Sequence, residues 1–375
     1  MALAAPMNVL HLTLSYSRGG RREAIAALAQ GLRAQGVESR LCCLDEFGSE
    51  PAERALFADS LSLDRKGVFD LAALRRLHRY CREHRIDVLH AHDAASEAMS
   101  AMAMPRRPAL LMTFHRTRNL ETARFRDRLR NAIVGLRVGA VVTASQERLH
   151  HYIDNNYVDP RKVSCIPLGI DLDRFRPDPE ARRRTREQLG AGDGELLVGT
   201  VGHFGSEKGV DLAIGAFQAF LARHPERDTR LVVLGRGDEE QTAWIKAKVL
   251  PEFAGRIDFQ GFRTDPEHWF PAFDVLLHGA RDEAFGLVLA EAQACGVPVV
   301  AARVGGIPEV VLDGRTGRLA SAPEVGPLAD MLGEIAADEA RRREMAVQAI
   351  EHARHQFSRE RYARDYIELY RRLLA

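Results

Sequence analysis

The sequence predicts an α/β protein made of two doubly wound units, and three observations carry that prediction. Short β-branched or leucine-rich runs alternate with longer helical patterns almost from end to end, as in βαβ units whose parallel sheet is covered on both faces. A proline-punctuated tract, Asp171-Leu-Asp-Arg-Phe-Arg-Pro-Asp-Pro179, interrupts the alternation near the middle. The 375 residues are 46% hydrophobic and 28% charged, enough apolar content for each half to bury its own core.

In the first half, strands are predicted at 8–14, 39–44, 88–90, 109–114, 140–143 and 163–167. A helix at 22–35 carries Ile25, Leu28, Ala29 and Leu32 on one face. Another at 121–136 shows Phe125, Leu129, Ile133 and Leu136 at helical spacing with arginines on its flanks. An arginine-rich helix at 180–189 and a Gly-Ala-Gly-Asp-Gly loop follow the join. In the second half, strands are predicted at 196–202, 231–235, 257–260, 275–278, 297–301 and 317–319. Helices are predicted there at 210–223, 239–249, 286–294 and 327–337. The domains are therefore 1–172, 173–355 and a closing helix at 356–375. Sheets of this kind bind ligands outside the carboxyl ends of their strands, so two facing units would hold the site in the cleft between them.

A formal net charge of +1 gives no steering toward nucleic acid, which is not an expected partner. Five cysteines without a C-x-x-C spacing read as reduced thiols of a cytoplasmic protein. No run of 18 apolar residues is present, and the first residues lack the basic region of a signal peptide. Residues 105–137 hold nine arginines against Glu121 and Asp127. That segment reads either as the solvated face of a packed helix or as a contact for an anionic membrane surface or a phosphate-bearing acceptor.

Four tracts carry chemistry. In Glu283-Ala-Phe-Gly-Leu-Val-Leu-Ala-Glu291, Gly286 stands where a helix would open. The amides of Gly286, Leu287 and Val288 would then face outward at a positive dipole end, suited to a diphosphate. Glu283 and Glu291 are carboxylates able to accept hydrogen bonds from sugar hydroxyls, or are plain surface residues. In Val198-Gly-Thr-Val-Gly-His-Phe-Gly-Ser-Glu-Lys-Gly209, a strand ends, a glycine-containing loop follows and a helix begins. Lys208, one of only five lysines, is a point charge suited to phosphate oxygens, or a surface lysine at a helix start. This is not a Walker loop. Gly19-Gly20 follows the first strand and opens the first helix among arginines, without the G-x-G-x-x-G of a dinucleotide site.

His90-Ala-His92-Asp93 ends a strand, with His92 nearer the loop, and Phe114-His115-Arg116 ends the next. Such histidines orient a substrate group or belong to the core; no nearby cysteine or further histidine at close spacing completes a metal set. Asp171-x-Asp173 lies in the proline-rich join and reads as a turn former.

Together these residues resemble the retaining GT-B glycosyltransferases of family 4. The resemblance rests on 283–309 with its E-x7-E pair Glu283 and Glu291, on Asp313-Gly-Arg-Thr-Gly317, on 167–177, on 201–209, and on the closing Phe357-Ser-Arg-Glu tract. It covers nearly the whole chain and is sharpest in the second half. It implies a GT-B fold of two Rossmann-like domains, with the final helix crossing back to the first domain and a UDP- or GDP-sugar held mainly by the second. It implies Lys208 on the donor phosphates beside the Phe285–Val288 helix opening, Glu291 on the ribose, Glu283 on the transferred sugar and the loop 261–263, with Arg263, near the base. His92 would match the active-site histidine, and Gly19 and Gly20 the first-domain loop against the donor.

The resemblance further implies transfer with retention, without a cofactor or bound metal, to a saccharide, lipid-linked or small-molecule acceptor. The setting it implies is cell-surface glycan synthesis in the cytoplasm or on the cytosolic membrane face. Two departures stand out. His203 occupies a position usually held by an arginine, and a neutral imidazole grips phosphate less firmly. Gly279-Ala280 replaces the usual Pro-Ser, with little effect expected. The alternatives are a nucleotide-sugar epimerase on the same fold and a non-catalytic nucleotide-sugar-binding protein.

Overall fold

The computed structural model describes residues 7–17, 19–48, 54–67, 70–103, 107–115, 136–155, 159–192 and 194–375. It divides into two compact units, Met1–Ile170 with Ser358–Ala375, and Asp171–Phe357.

The strands of the first unit are β1 (Val9–Thr13), β2 (Ser39–Cys43), β3 (Ser60–Ser62), β4 (Val88–Ala91), β5 (Ala109–Phe114), β6 (Ala140–Thr143) and β7 (Val163–Cys165). They form one sheet in the order β3-β2-β1-β4-β5-β6-β7, every pair parallel. β1, β4 and β6 are buried from end to end, which is why they read as mostly apolar runs. β3 went unpredicted. It is a three-residue edge strand of two serines around one leucine, half-buried throughout, and it carries no apolar run to detect.

Helix Gly20–Ala34 starts two residues before its prediction and buries Ile25, Leu28 and Leu32 as expected. The last helix, Arg359–Leu374, packs against it. Gly31 permits that approach, because a Cβ there would collide with the Arg359 carbonyl oxygen and Ala363. The helix expected at 121–136 lies outside the described residues except for Leu136. Of the nine arginines in 105–137, only Arg107 and Arg137 fall within them. No helix among the described residues is long and apolar enough to cross a membrane.

The second unit holds β8 (Leu196–Val201), β9 (Thr229–Leu234), β10 (Ile257–Gly261), β11 (Val275–His278), β12 (Val299–Ala302) and β13 (Gly317–Ala320). Their order is β10-β9-β8-β11-β12-β13, again all parallel. Phe217, Phe220, Leu231, Val233, Leu277 and Val300 meet in its core. The helix expected at 239–249 stops at Lys246. Beyond it the amides of Lys248 and Val249 donate to carbonyls three residues back, a tighter turn than the α-helix, and Leu250 before Pro251 is extended.

Each sheet winds outward in both directions from one strand, β1 in the first and β8 in the second. The crevices beside β1/β4 and β8/β11 are thus the switch points where such sheets bind ligands. The predicted loops leave the carboxyl ends of those four strands.

Candidate functional site

In the second unit, β8 and β11 are paired neighbours, with Val198 beside Val275 and Gly199 beside Leu276. Their exit loops, 202–209 and 279–286, therefore lie side by side. Gly209 has φ +59° and caps helix Val210–Arg223. Its backbone touches that of Gly279 so closely that a Cβ on either residue would strike the other's carbonyl oxygen. This backbone path has no room for a side chain at 279.

The glycine contact brings two predicted residues together. Lys208 Nζ donates to Glu283 Oε2 at 2.7 Å. His278 Nε2 stands 3.7 Å from the same oxygen, too far for a direct hydrogen bond but inside its field. Glu283 is only 8% exposed. Burial pushes its carboxyl up, while the His278 ring and the Lys208 ammonium pull it down and prevail, leaving it at about 2. Glu283 is therefore an ionised acceptor at neutral pH, not a proton donor.

Three residues on, Gly286 adopts φ +98° and starts helix Leu287–Ala294, its carbonyl accepting from the amides of Leu289 and Ala290. The earlier amides of a helix have no acceptor within it, so those of Leu287 and Val288, both half-buried, stand at a positive end beside Lys208 and Glu283. Phe285 is different. Its ring is buried edge-on against Phe357 with centroids 5.5 Å apart, so only its backbone is left for a ligand. Glu291 sits half-buried on the second turn.

His203 is exposed, and its Nδ1 accepts from the Gly205 amide at 3.1 Å, bracing the loop. Arg263 follows the edge strand β10. Its guanidinium lies over the Trp269 ring at 4.5 Å and donates to Gln260 Oε1 at 2.8 Å. Asp171 Oδ1 accepts from the amides of Asp173 and Arg174, as a turn former does.

Sequence reasoning missed Arg281 and Asp211, whose two-pronged ion pair joins the 279–286 loop to the first turn of helix Val210–Arg223. Seventy residues separate them, and neither belongs to a recognisable spacing. A cavity of about 840 Å³ also went unforeseen. It lies at the opposite, amino-terminal pole of this sheet, lined by Leu196, Asp274, Pro298, Arg182 and Arg342 among others.

In the first unit, Gly19 has φ +146° with open space where a side chain would be, and Gly20 opens the helix. Asp93 Oδ2 accepts from the Leu14 amide at 2.6 Å and from Thr13 Oγ1 at 3.1 Å, tying the end of β1 to that of β4. Arg21 Nη1 lies 3.6 Å from the same oxygen.

His92 is only 2% exposed, and neither ring nitrogen is open. Nε2 pairs with His11 Nδ1 at 3.0 Å and Nδ1 with His115 Nε2 at 3.1 Å. Burial, then the neighbouring imidazoles, lowers its pKa well below the ordinary histidine value, so the ring is neutral. His115, half-buried, is the outer ring of this chain, and burial with Arg21 brings it down to about 4. His90 turns to the last helix, with Nδ1 on Tyr370 Oη at 2.8 Å and Nε2 on Thr113 Oγ1 at 2.6 Å.

Ring nitrogens of His11, His90 and His92 lie within 4.8 Å of one another. Both nitrogens of His90 and of His92 already share hydrogen bonds, and within that trio only His11 Nε2 lacks a partner. A cation there would have to displace those bonds.

The family model for glycosyl transferases group 1 matches residues 181–356, and that for glycosyltransferase family 4 matches residues 18–174. D-inositol 3-phosphate glycosyltransferase from Kribbella flavida is 32% identical over 285 residues, covering 71% of this chain and 67% of that protein. D-inositol 3-phosphate glycosyltransferase 2 from Catenulispora acidiphila is 36% identical over 203 residues, 52% of this chain and 47% of the relative. The chain thus spans about half the length of the first curated relatives it matches. The crystal structure of Anabaena HepE in complex with UDP and glucose superposes with a TM-score of 0.84 at 21% identity, covering 97% of this chain and 99% of that one, which is a likeness of fold.

Proposed function

Because the chain belongs to the family 4 glycosyltransferases, we propose that it moves a sugar from a UDP- or GDP-linked donor onto a saccharide, lipid-linked or small-molecule acceptor. One observation carries the reading: the Lys208–Glu283 pair stands at the β8/β11 switch point beside the Gly286 helix opening. The donor diphosphate would lie against the amides of 286–288, with Lys208 as its point charge. The ionised Glu283 would accept hydrogen bonds from hydroxyls of the transferred sugar. Glu291 would hold the ribose and the 261–263 loop the base.

Glu283 is a poor proton donor at neutral pH, so its part is to position and to stabilise charge. We take the transfer to proceed with retention through an oxocarbenium-like state, the leaving diphosphate accepting the acceptor's proton. In the first unit His92 would act from within the chain that ends at His115. The name of the Kribbella relative makes a phosphorylated polyol the first acceptor class to try. An anionic membrane surface meeting residues 105–137 completes the proposal, and liposome binding that weakens with salt is its check.

The test is product analysis with UDP- and GDP-sugars and a panel of acceptors. Wild-type protein is expected to transfer, and Glu283→Ala and Lys208→Ala to lose roughly tenfold or more in turnover while remaining folded. Full activity in both variants would overturn the site assignment. A donor that emerges with an inverted stereocentre in the absence of acceptor would point instead to an epimerase.

A further inference from the structure

We propose that Arg281 and Asp211 are positioning residues that strap the Lys208 loop to the Glu283 loop, so that a donor diphosphate meets both side chains already in place. This rests on the glycosyltransferase reading above. Arg281 lies two residues before Glu283. Its Nη1 and Nη2 donate to the two carboxylate oxygens of Asp211 at 2.9 and 2.6 Å, the planar fork that only a guanidinium offers. The same Nη1 donates to the Ser206 carbonyl at 2.7 Å, and the Arg281 amide donates to the Glu207 carbonyl at 2.9 Å. One residue thus grips the 3-10 turn Ser206–Lys208 and the first turn of the helix that follows it. Asp211 stands in that first turn, where the helix dipole favours a carboxylate. Its hydrogen bonds hold the Arg281 guanidinium above its ordinary pKa.

The need for a strap follows from the loop itself. Glycines 205 and 209 flank the turn, so its backbone has little stiffness of its own. Lys208 adds a flexible four-carbon stem. Without the strap, binding would have to order the loop as well as the ligand, and the cost would appear as weaker donor binding. Neither Arg281 nor Asp211 is hydrogen-bonded to Lys208 Nζ or to the Glu283 carboxylate. Their effect runs through the backbone.

Calorimetric titration with UDP and with GDP tests this, using wild type, Arg281→Ala, Arg281→Lys, Asp211→Asn and the double variant R281A/D211N. Hydrogen exchange of amides 205–210 is followed in parallel. Whichever nucleotide the wild type binds is expected to lose about tenfold in affinity in each single variant, lysine included, since it keeps the charge and loses the fork. The double variant is expected to be no worse than either single one. Amides 205–210 should exchange faster while those of 216–221 keep their protection. A purely structural role would lower the melting temperature without moving affinity or this local exchange, and that result would overturn the proposal. Should Arg281→Ala fail to fold, Arg281→Lys decides on the same terms. Wild-type protein that binds neither nucleotide would overturn the transferase reading and this inference with it. Wild-type binding with unaltered folded variants would overturn this inference alone.

Discussion

The ammonium of Lys208 stands 2.7 Å from Glu283 Oε2, pairing the cation suited to phosphate with the carboxylate suited to sugar hydroxyls. The lysine side chain is about one-third exposed and the glutamate almost enclosed. The pair is therefore preassembled, with an open side from which a ligand can approach the ammonium.

Removing one member leaves a buried charge without its partner. Lys208→Met is expected to destabilise the protein by about 1–3 kcal/mol, read from urea unfolding midpoints. Glu283→Gln added to it should restore part of that loss, because the orphaned charge is gone. A double variant less stable than the sum of the singles would contradict the pairing.

Acid should weaken the fold in two windows. Glu283 has a folded-state pKa of about 2 against an ordinary value of 4.5, so its contribution is complete above 4.5 and disappears as pH falls toward 2. His11 is lowered by burial from 6.5 to about 3, and His115 to about 4. The unfolded chain takes up those protons first, so stability is full above 6.5 and drops as pH falls below it. His11→Phe is expected to flatten the slope of melting temperature against pH between 6.5 and 4. An unchanged slope would remove His11 from this account.

Gly279→Ala should be costly out of proportion to one methyl group. The Cβ would meet the Gly209 carbonyl, and relief requires the two exit loops to part. A loss of about 1–3 kcal/mol in unfolding free energy, together with weakened nucleotide binding, is the expected result. Gly192→Ala is the control, since nothing lies within 4 Å of the added atom. Equal behaviour of the two would show that the loops tolerate separation.

The last helix is held by hydroxyls as well as by rings. Tyr370 Oη meets His90 Nδ1 at 2.8 Å, and Tyr366 Oη meets Thr113 Oγ1 at 2.6 Å, all fully enclosed. Tyr366→Phe and Tyr370→Phe are each expected to lower stability by about 1 kcal/mol in denaturant titrations. No change in either would mean that the buried partners re-pair among themselves.

Local chemistry by itself determined the elements and the nature of the motifs. β5, β6 and β11 run where they were predicted, because strands enclosed within the fold are mostly apolar along their length. The glycine-flanked loop before Lys208 and the helix opening at Gly286 were legible for a similar reason: backbone freedom is a property of single residues. Other features exist only once the chain is folded. Lys208 and Glu283 are 75 positions apart and meet because β8 and β11 are neighbours. Arg281 finds Asp211 across the same seam. His11 meets His92 only because β1 pairs with β4. The Gly209 carbonyl closes the space beside Gly279 across the β8/β11 seam as well. Propensity and periodicity act over a few residues, whereas these partnerships are set by strand order and close packing, which no local window contains.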